Sequence, residues 1–235
     1  MMSEFHYDVI TPGDRELRPG LATLKALYGK HPEIQVVSAN IQDKSGRRVF
    51  PEYTIIERGG LRFGITGTTG AVYYETNVKQ NLVTKDDFTF QNSEEALRRV
   101  VPELRAKSDV VIVLLHESVE DAMNMLTKVS GIDVAIAGNE PGIIPAPEKI
   151  GDALFVRPGS RGQYVFRLPI TVDKSAKKIT EFAGEAKYLD EKVVKDPVLD
   201  PVVSKWENDF KAKYAPPKPP QPPQPAPAPA TTAGH

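Results

Sequence analysis

The 235-residue sequence contains no cysteine. This absence excludes disulfide bonds, thiolate metal sites, a cysteine nucleophile and covalent attachment of c-type haem within the chain. It does not identify the cellular compartment.

Long apolar runs, a leader segment and an excess of charge of one sign are also missing. No stretch approaches the roughly 20 apolar residues that span a bilayer, and the first residues, MMSEFHYDVITPG, have neither a basic nor an apolar leader region. Lysine and arginine (30) balance aspartate and glutamate (31), so the formal net charge is −1. We therefore expect no nucleic-acid partner and no membrane span.

Histidine is scarce, with four residues, so the inventory of nitrogen ligands for a metal is small. His31 and His235 are interpreted as surface residues, and His6 near the chain start is uninformative. Only His116 stands at the end of an apolar run. The alternative for His116 is a structural histidine that is hydrogen-bonded at the end of a strand.

The segment from Ser108 to Gly142 has the pattern of a βαβ unit. Two apolar runs rich in β-branched residues, 110–115 and 134–137, flank one amphipathic segment, which is typical of buried parallel strands. Ligands bind beyond the carboxyl ends of such strands. Those ends carry His116-Glu117 and Gly138-Asn139-Glu140, and we look for function there.

Apolar periodicity predicts the other elements. Strands are predicted at 7–11, 35–39, 53–57, 61–66, 153–157, 164–172 and 178–189, and helices from Pro19 to Gly29, from Ser93 to Leu104 and over 198–214. Ser93 is the predicted N-cap of its helix, and residues 14–17 and 77–92 are predicted loops. MMSEFHYDVI has the pattern of a helix end running straight into a strand, so we expect a missing N-terminal strand.

The composition changes at Ala215, since nine of the last 21 residues are proline. Such a segment forms neither a helix nor a central strand. We therefore predict one domain over 1–214 and a proline-rich linker or disordered interaction arm over 215–235, through which a protein partner or a following domain would attach.

Familiar catalytic motifs are missing. The glycine-rich segment GITGTTG, 64–70, lacks the Lys-Ser/Thr pair of a Walker loop and is interpreted as a strand-to-loop turn. No G-x-S-x-G or H-E-x-x-H motif is present. The carboxylates at comparable strand ends are Asp14, Glu16, Glu117 and Glu140, and none is distinctive alone.

The order of six segments nevertheless resembles a family. YDVITPGDREL, VVSANI, LRFGITGTT, SDVVIVLLHES, IDVAIAGNEPG and FVRPGSRGQYVFRLPITVD follow one another as in the catalytic domain of bacterial 5′-nucleotidases, which are calcineurin-like metallophosphoesterases. The resemblance covers roughly residues 5–190. It implies an α/β fold, a four-layer α/β/β/α sandwich with mixed sheets, truncated at the N-terminus.

In this family two divalent metals activate a water and hold a phosphate. The resemblance assigns His116, Asp14 and Asn139 to metal positions, whereas the family's Asp-x-His strand has no counterpart here and Pro141 replaces a histidine. Arg15 stands at the position of the catalytic histidine, so no catalytic residue is assigned. Arg15, Asn40 and Glu140 are the candidate ligand-binding residues, and the remaining oxygen donors suit at most one divalent cation, Mn²⁺, Mg²⁺ or Ca²⁺.

Two functions follow from this resemblance. The first is a non-catalytic binding or scaffolding module on a degenerate fold, accessory to a neighbouring exported or multihaem cytochrome module. The alternative is a weak metal-dependent phosphohydrolase that acts on nucleotides or phosphate esters. The resemblance also suggests the periplasm or the cell surface, while the tail alone suggests an assembly protein.

Overall fold

A computed structural model describes residues 3–214, so the proline-rich segment 215–235 lies outside the described residues. The chain divides into two compact units, and the boundary in the sequence falls between Val193 and Val194. After a 3₁₀ turn at Ser3–Phe5, the helices are α1 Asp14–Leu17, α2 Leu21–Tyr28, α3 Ala71–Lys79, α4 Ser93–Lys107, α5 Val119–Lys128 and α6 Leu199–Tyr214. No helix within 3–214 has the length and apolar character needed to cross a bilayer.

Within residues 3–214, fourteen strands accompany the helices. They are β1 Val9–Ile10, β2 Gln35–Val36, β3 Ile41–Asp43, β4 Tyr53–Arg58, β5 Leu61–Thr69, β6 Phe88–Phe90, β7 Val110–His116, β8 Val134–Ala137, β9 Glu148–Ile150, β10 Ala153–Val156, β11 Tyr164–Arg167, β12 Ile170–Asp173, β13 Lys178–Phe182 and β14 Glu185–Tyr188.

A six-stranded mixed sheet in the order β4-β5-β7-β8-β10-β9 forms the centre of the first unit. Strands β5, β7, β8 and β10 are parallel, and the edge strands β4 and β9 are antiparallel to their neighbours. The predicted βαβ unit is β7-α5-β8. The predicted α/β class is confirmed, and the remaining strands form four two-stranded pairs: β1-β2, β3-β6, β11-β14 and β12-β13.

One face of the sheet is covered by the apolar faces of α4 and α5. Helix α4 contributes Leu97, Val101 and Leu104, all fully buried, because these residues recur at helical spacing. Burying such side chains stabilises the fold by about 1.5–3 kcal/mol each. A second cluster around Tyr74 and Phe88 holds α1, α2 and α3 together.

Several predicted boundaries are wrong, for local reasons. Residues 14–17 form α1 instead of a loop, and residues 77–92 contain the end of α3 and all of β6. The N-cap of α4 is Asn92, whose side chain accepts a hydrogen bond from the Glu95 amide, so Ser93 is the first helical residue. The segments 164–172 and 178–189 each break into two strands, the first at Leu168-Pro169, since proline cannot donate to a ladder.

The second unit contains α6. Its aromatic residues recur every four positions, and consecutive rings contact each other: the Trp206 and Phe210 centroids are 5.4 Å apart, and those of Phe210 and Tyr214 are 4.8 Å apart. Side chains four residues apart lie on the same face of a helix. The aromatic rings of α6 therefore form one continuous row over two turns of the helix.

Candidate functional site

The candidate site lies at the carboxyl ends of the central strands. The register places Thr69 of β5 beside His116 of β7, and Leu115 beside Ala137 of β8. Segments that follow parallel strands meet at one edge of a sheet. A cleft of about 1030 Å³ opens there, and its lining includes Asp14, Arg15, His116 and Asn139.

Asp14 and His116 form the central pair of the cleft, although 102 positions separate them in the chain. His116 Nε2 lies 2.8 Å from Asp14 Oδ1. An ionised carboxylate only accepts hydrogen bonds, so Nε2 carries the proton and donates it. The Asp14 amide nitrogen is 3.4 Å from the same Nε2, too long to compete with that bond.

Asn77 and Arg18 support this pair from the other side. Asn77 Nδ2 donates to Asp14 Oδ2 at 2.6 Å, and Arg18 Nη2 donates to Asn77 Oδ1 at 2.8 Å. Arg18 Nη2 also lies 3.9 Å from Asp14 Oδ2. A continuous chain of hydrogen bonds therefore links Arg18, Asn77, Asp14 and His116.

This chain favours the charged form of Asp14. Burial by itself raises the pKa of Asp14, but the hydrogen bonds from Asn77 and His116, followed by the positive charges of His116 and Arg18, outweigh burial and lower the pKa below the usual 3.8. The carboxylate is therefore ionised at neutral pH, and its negative charge is shared among its hydrogen-bond donors.

Gly13 makes room for the imidazole. A Cβ atom at residue 13 would lie 2.6 Å from His116 Cε1 and 2.9 Å from Glu16 Oε2, both closer than real contacts allow. The Gly13 amide also donates to Glu16 Oε2 at 3.0 Å. Only glycine therefore allows the start of α1 to approach the end of β7 so closely.

Two arginines give the lining of the cleft a net positive charge, which Glu16 offsets only in part. Arg15 and Arg161 line the cleft and are exposed, and neither forms an ion pair or side-chain hydrogen bond within residues 3–214. Arg15 is unsuited to the role of a metal ligand, since a guanidinium stays cationic and binds carboxylates or phosphates. The rim suits an anionic group.

The other predicted site residues lie in different surroundings. Asn139 lines the cleft, and its amide is 3.4 Å from the Glu117 carbonyl. Glu140 does not line it, and instead its Oε2 accepts a hydrogen bond from the Val119 amide at the start of α5, 3.1 Å away. Asn40 is 1% exposed and also lies outside the lining.

Asn40 belongs to a buried polar network behind the cleft. Its Nδ2 donates to the carbonyls of Thr69 (2.9 Å) and Gln91 (3.2 Å), and its Oδ1 accepts from the Thr69 amide (3.0 Å). Ser93 Oγ, next to Asn40, donates to Glu117 Oε1 at 2.7 Å. Burial raises the pKa of Glu117, although the hydrogen bond from Ser93 opposes the shift. The network fixes the ends of β5 and β7 relative to α4.

The side chains of the cleft offer few donors for a divalent cation. Within residues 3–214, no three histidine, cysteine, aspartate or glutamate side chains converge on one point. The lining offers Asp14, His116 and Glu16, of which the first two are already bonded to each other, and Glu16 Oε2 accepts from the Gly13 amide. Metal centres in proteins take several protein ligands, so the donors of the described residues do not complete such a site.

Sequence reasoning missed Arg18, Asn77, Arg161 and the role of Ser93. The spacing of four between Asp14 and Arg18 would have paired them if residues 14–17 had been read as helical. Asn77 carries no such signal, because it lies 63 positions from Asp14 in a segment that was predicted to be irregular.

The comparisons with known proteins agree with the fold. No family model matches the chain. In sequence the chain is 23% identical over 195 residues to the uncharacterized metallophosphoesterase YunD of Bacillus subtilis, covering 81% of this chain and 40% of that protein. The chain thus spans less than half the length of this relative.

Two solved structures show the same architecture. The calcineurin-like phosphoesterase YfkN from Bacillus subtilis superposes with a TM-score of 0.76 at 21% identity, over 90% of this chain and 73% of that one. The 5′-nucleotidase precursor from Thermus thermophilus gives a TM-score of 0.72 at 21% identity, over 90% of this chain and 45% of that one. The fold is that of the calcineurin-like metallophosphoesterases, and the resemblance to 5′-nucleotidase domains is confirmed.

Proposed function

We propose that this chain is a non-catalytic binding or scaffolding module on the metallophosphoesterase fold, with the cleft around Asp14 and His116 as its binding site. The observation that carries the proposal is the Asp14–His116 hydrogen bond of 2.8 Å. It joins two of the strong metal donors that line the cleft, and the third, Glu16, accepts a hydrogen bond from the Gly13 amide.

The chemistry of hydrolysis by two metals supports the same conclusion. Such centres hold a pair of cations about 3.5–4 Å apart, which activate a water and stabilise both oxygens of the displacement. That arrangement needs many deprotonated donors. In this cleft a guanidinium, Arg15, stands where the resemblance places the catalytic histidine, and Pro141 offers no side-chain donor.

The ligand of such a module would be anionic. Arg15 and Arg161 have no ion-pair partner within the described residues, and a bidentate guanidinium recognises carboxylate or phosphate oxygens. The ionised Asp14 carboxylate already accepts hydrogen bonds from Asn77 and His116. The positive rim therefore prevails over the single buried carboxylate.

The setting of the module is also part of the proposal. We propose that residues 215–235 tether it to a partner or a following domain, and that it accompanies an exported or multihaem cytochrome module at the periplasm or cell surface. The proline content of that segment supports a tether, and the family resemblance supports export.

A phosphatase assay tests the proposal. Purified protein is incubated with Mn²⁺ and either a nucleoside monophosphate or a chromogenic phosphate diester, alongside His116→Ala and the matched control His31→Ala. His31 is a surface residue paired only with Glu33. We expect no hydrolysis above that of the His116→Ala protein, and hydrolysis that disappears in His116→Ala but persists in His31→Ala would refute the proposal.

The alternative is a weak metal-dependent phosphohydrolase for nucleotides or phosphate esters. It is favoured by the retention of Asp14 and His116 side by side, and by similarity to a protein named as a metallophosphoesterase. Elemental analysis of the purified protein for Mn, Zn, Fe, Mg and Ca separates the two. A stoichiometric metal that is lost in His116→Ala would favour the enzyme.

A further inference from the structure

Helix α6 carries an aromatic row made of Trp206, Phe210 and Tyr214. The three rings contact one another in sequence, and the residues are 54%, 50% and 60% exposed. Lys213 Nζ lies 5.2 Å from the Tyr214 centroid, as a cation–π contact. Large apolar side chains that adjoin one another at a surface mark interaction sites more often than single ones do. The aromatic row is therefore a candidate docking surface.

The charged residues on the two sides of the aromatic row pair with each other. A helix has 3.6 residues per turn, so Lys205 and Asp209 lie on one side of the row, and Glu207 and Lys211 lie on the other. Lys205 Nζ donates to Asp209 Oδ2 at 2.6 Å, and Lys211 Nζ donates to Glu207 Oε2 at 3.5 Å. Because these charges are already paired, the row suits a partner with apolar groups and little charge.

A proline repeat with a period of three follows the helix almost at once. Residues 216–224 have the sequence PPKPPQPPQ, and a polyproline II helix has three residues per turn. In that conformation Lys218, Gln221 and Gln224 share one edge, and prolines occupy the other two edges. Such helices dock on aromatic side chains, because they are pre-formed and lose little entropy on binding. The repeat therefore has the chemistry that the aromatic row accepts.

The repeat is poorly suited to fold back on its own helix. Only Ala215 separates Tyr214 from Pro216. Proline is disfavoured at the third position of a type I turn, and a residue before proline is held extended, so one restriction or the other applies to every turn within the repeat. Type II turns need glycine or asparagine at the third position, and residues 215–233 contain neither. We therefore expect the repeat to run on from α6, away from the row of its own chain.

A second copy of the chain can supply the repeat instead. The row spans about 12 Å along the helix and the nine-residue repeat about 28 Å, so one repeat is long enough to cover one row. In a two-fold symmetric dimer the same contact is made twice.

The area of this double contact is large enough for a dimer. A fully buried aromatic side chain covers about 150–250 Å², and about half of each ring in the row is available. Two rows and the prolines that cover them would bury roughly 900–1500 Å², whereas specific interfaces need about 1000 Å². A single row with one repeat would bury only half of this area, which favours the reciprocal arrangement.

We propose that the chain self-associates through α6, and that residues 216–224 of each copy bind as a polyproline II helix to the aromatic row of a second copy. The prolines contact the three rings, and the edge with Lys218 and the two glutamines faces solvent. The inference rests on the proposed role of residues 215–235 as an attachment segment, since it names a second copy as the partner of that segment. The cleft takes no part in the contact.

Trp206 is the only tryptophan of the chain, so its fluorescence reports on the aromatic row. The full-length protein is measured by sedimentation equilibrium and by tryptophan emission between about 1 μM and about 500 μM, a range that brackets weak dimers. We expect the mass to double across this range. The Trp206 emission should shift to shorter wavelength over the same concentrations, because the prolines displace water from the indole.

Two variants break the two halves of the contact. Phe210→Asp places a charge in the row, and alanine at positions 219, 220, 222 and 223 removes prolines from the repeat. Each should weaken dimerisation at least about tenfold. The matched controls are Phe182→Asp, at a 48% exposed phenylalanine of β13, and the double variant Gln221→Ala and Gln224→Ala on the polar edge. Both controls should leave dimerisation unchanged, with folding checked by circular dichroism.

Three results would overturn the inference. They are a monomer at every concentration, a dimer that survives Phe210→Asp or the loss of the prolines, and a Trp206 emission that is independent of concentration but changes when the prolines are replaced. The last result would show that the repeat folds back on its own helix. Hydrolysis that depends on His116 would instead refute the proposed function without changing the oligomeric state, so the two failures are distinguishable.

Discussion

The hydrogen bond from Asn77 to Asp14 gives a quantitative test of the cleft. Asn77→Ala removes the 2.6 Å hydrogen bond to the ionised carboxylate of Asp14, a residue that is 9% exposed. It also removes the oxygen that accepts a hydrogen bond from Arg18. A hydrogen bond to a charged group contributes about 1.5–3 kcal/mol. For a protein of this size such a loss lowers the melting temperature by roughly 3–12 °C.

Alanine is also a better helix former than asparagine, so Asn77→Ala gains some helix stability. The control variant Asn124→Ala has the same gain and corrects for it. Asn77 lies in α3, where asparagine is a poorer helix former than alanine by up to about 0.7 kcal/mol. Asn124 lies in α5, is exposed and makes no side-chain hydrogen bond within residues 3–214. The difference between Asn77→Ala and Asn124→Ala therefore isolates the contribution of the bond.

The pH dependence of this difference has a definite sign. The pKa of Asp14 is lower in the folded protein than the usual 3.8, so its contribution to stability is present above pH 3.8 and is lost as the pH falls through the lower folded value. Urea unfolding at about pH 7 and about pH 3 should show the loss in Asn77→Ala shrinking at the lower pH. Equal values for Asn77→Ala and Asn124→Ala at neutral pH, or a loss independent of pH, would contradict the reasoning.

Three further substitutions probe the neighbouring contacts. Gly13→Ala should destabilise the fold by about 1–3 kcal/mol in urea unfolding, because its Cβ would lie 2.6 Å from His116 Cε1; a neutral effect would show that the imidazole moves freely. Because burial raises the pKa of Glu117 above 4.5, its contribution to stability is full below pH 4.5 and is lost as the pH rises through the raised value. Glu117→Gln should therefore stabilise the protein relative to wild type near pH 8 and not near pH 4, and the opposite order would contradict the assignment. Leu104→Ala should cost about 2–5 kcal/mol in thermal unfolding, since Leu104 is fully buried against the sheet, and a loss below 1 kcal/mol would show that the helix does not pack there.

The central sheet was largely predictable because its signal is local. An apolar run of β-branched residues defines β7 and β8, and the amphipathic segment between them defines α5, so the βαβ unit follows from residues 108–142 alone. The rule that parallel strands end at one edge then indicated the position of His116. Asp14 was singled out only by the motif order, since its place at a strand end does not distinguish it from Glu16, Glu117 or Glu140.

The supporting shell of the cleft was not predictable in the same way. Asn77 and Ser93 act on residues that are 63 and 24 positions away, and their partners are fixed only when the sheet register is known. Short strands such as β3 and β6 have three residues each, too few for a period to show. Their places depend on long-range pairing, which a single sequence does not reveal.

The Asp14–His116 bond also sets how the cleft would respond to a cation. Nε2 holds a proton that is donated to Asp14 Oδ1, so a metal that used either atom would have to displace this bond and release the proton. The supporting bond from Asn77 would then remain on Oδ2, which leaves one oxygen and one nitrogen for the ion. Anions meet no such competition at Arg15 and Arg161, which supports the proposal that the cleft takes an anionic ligand.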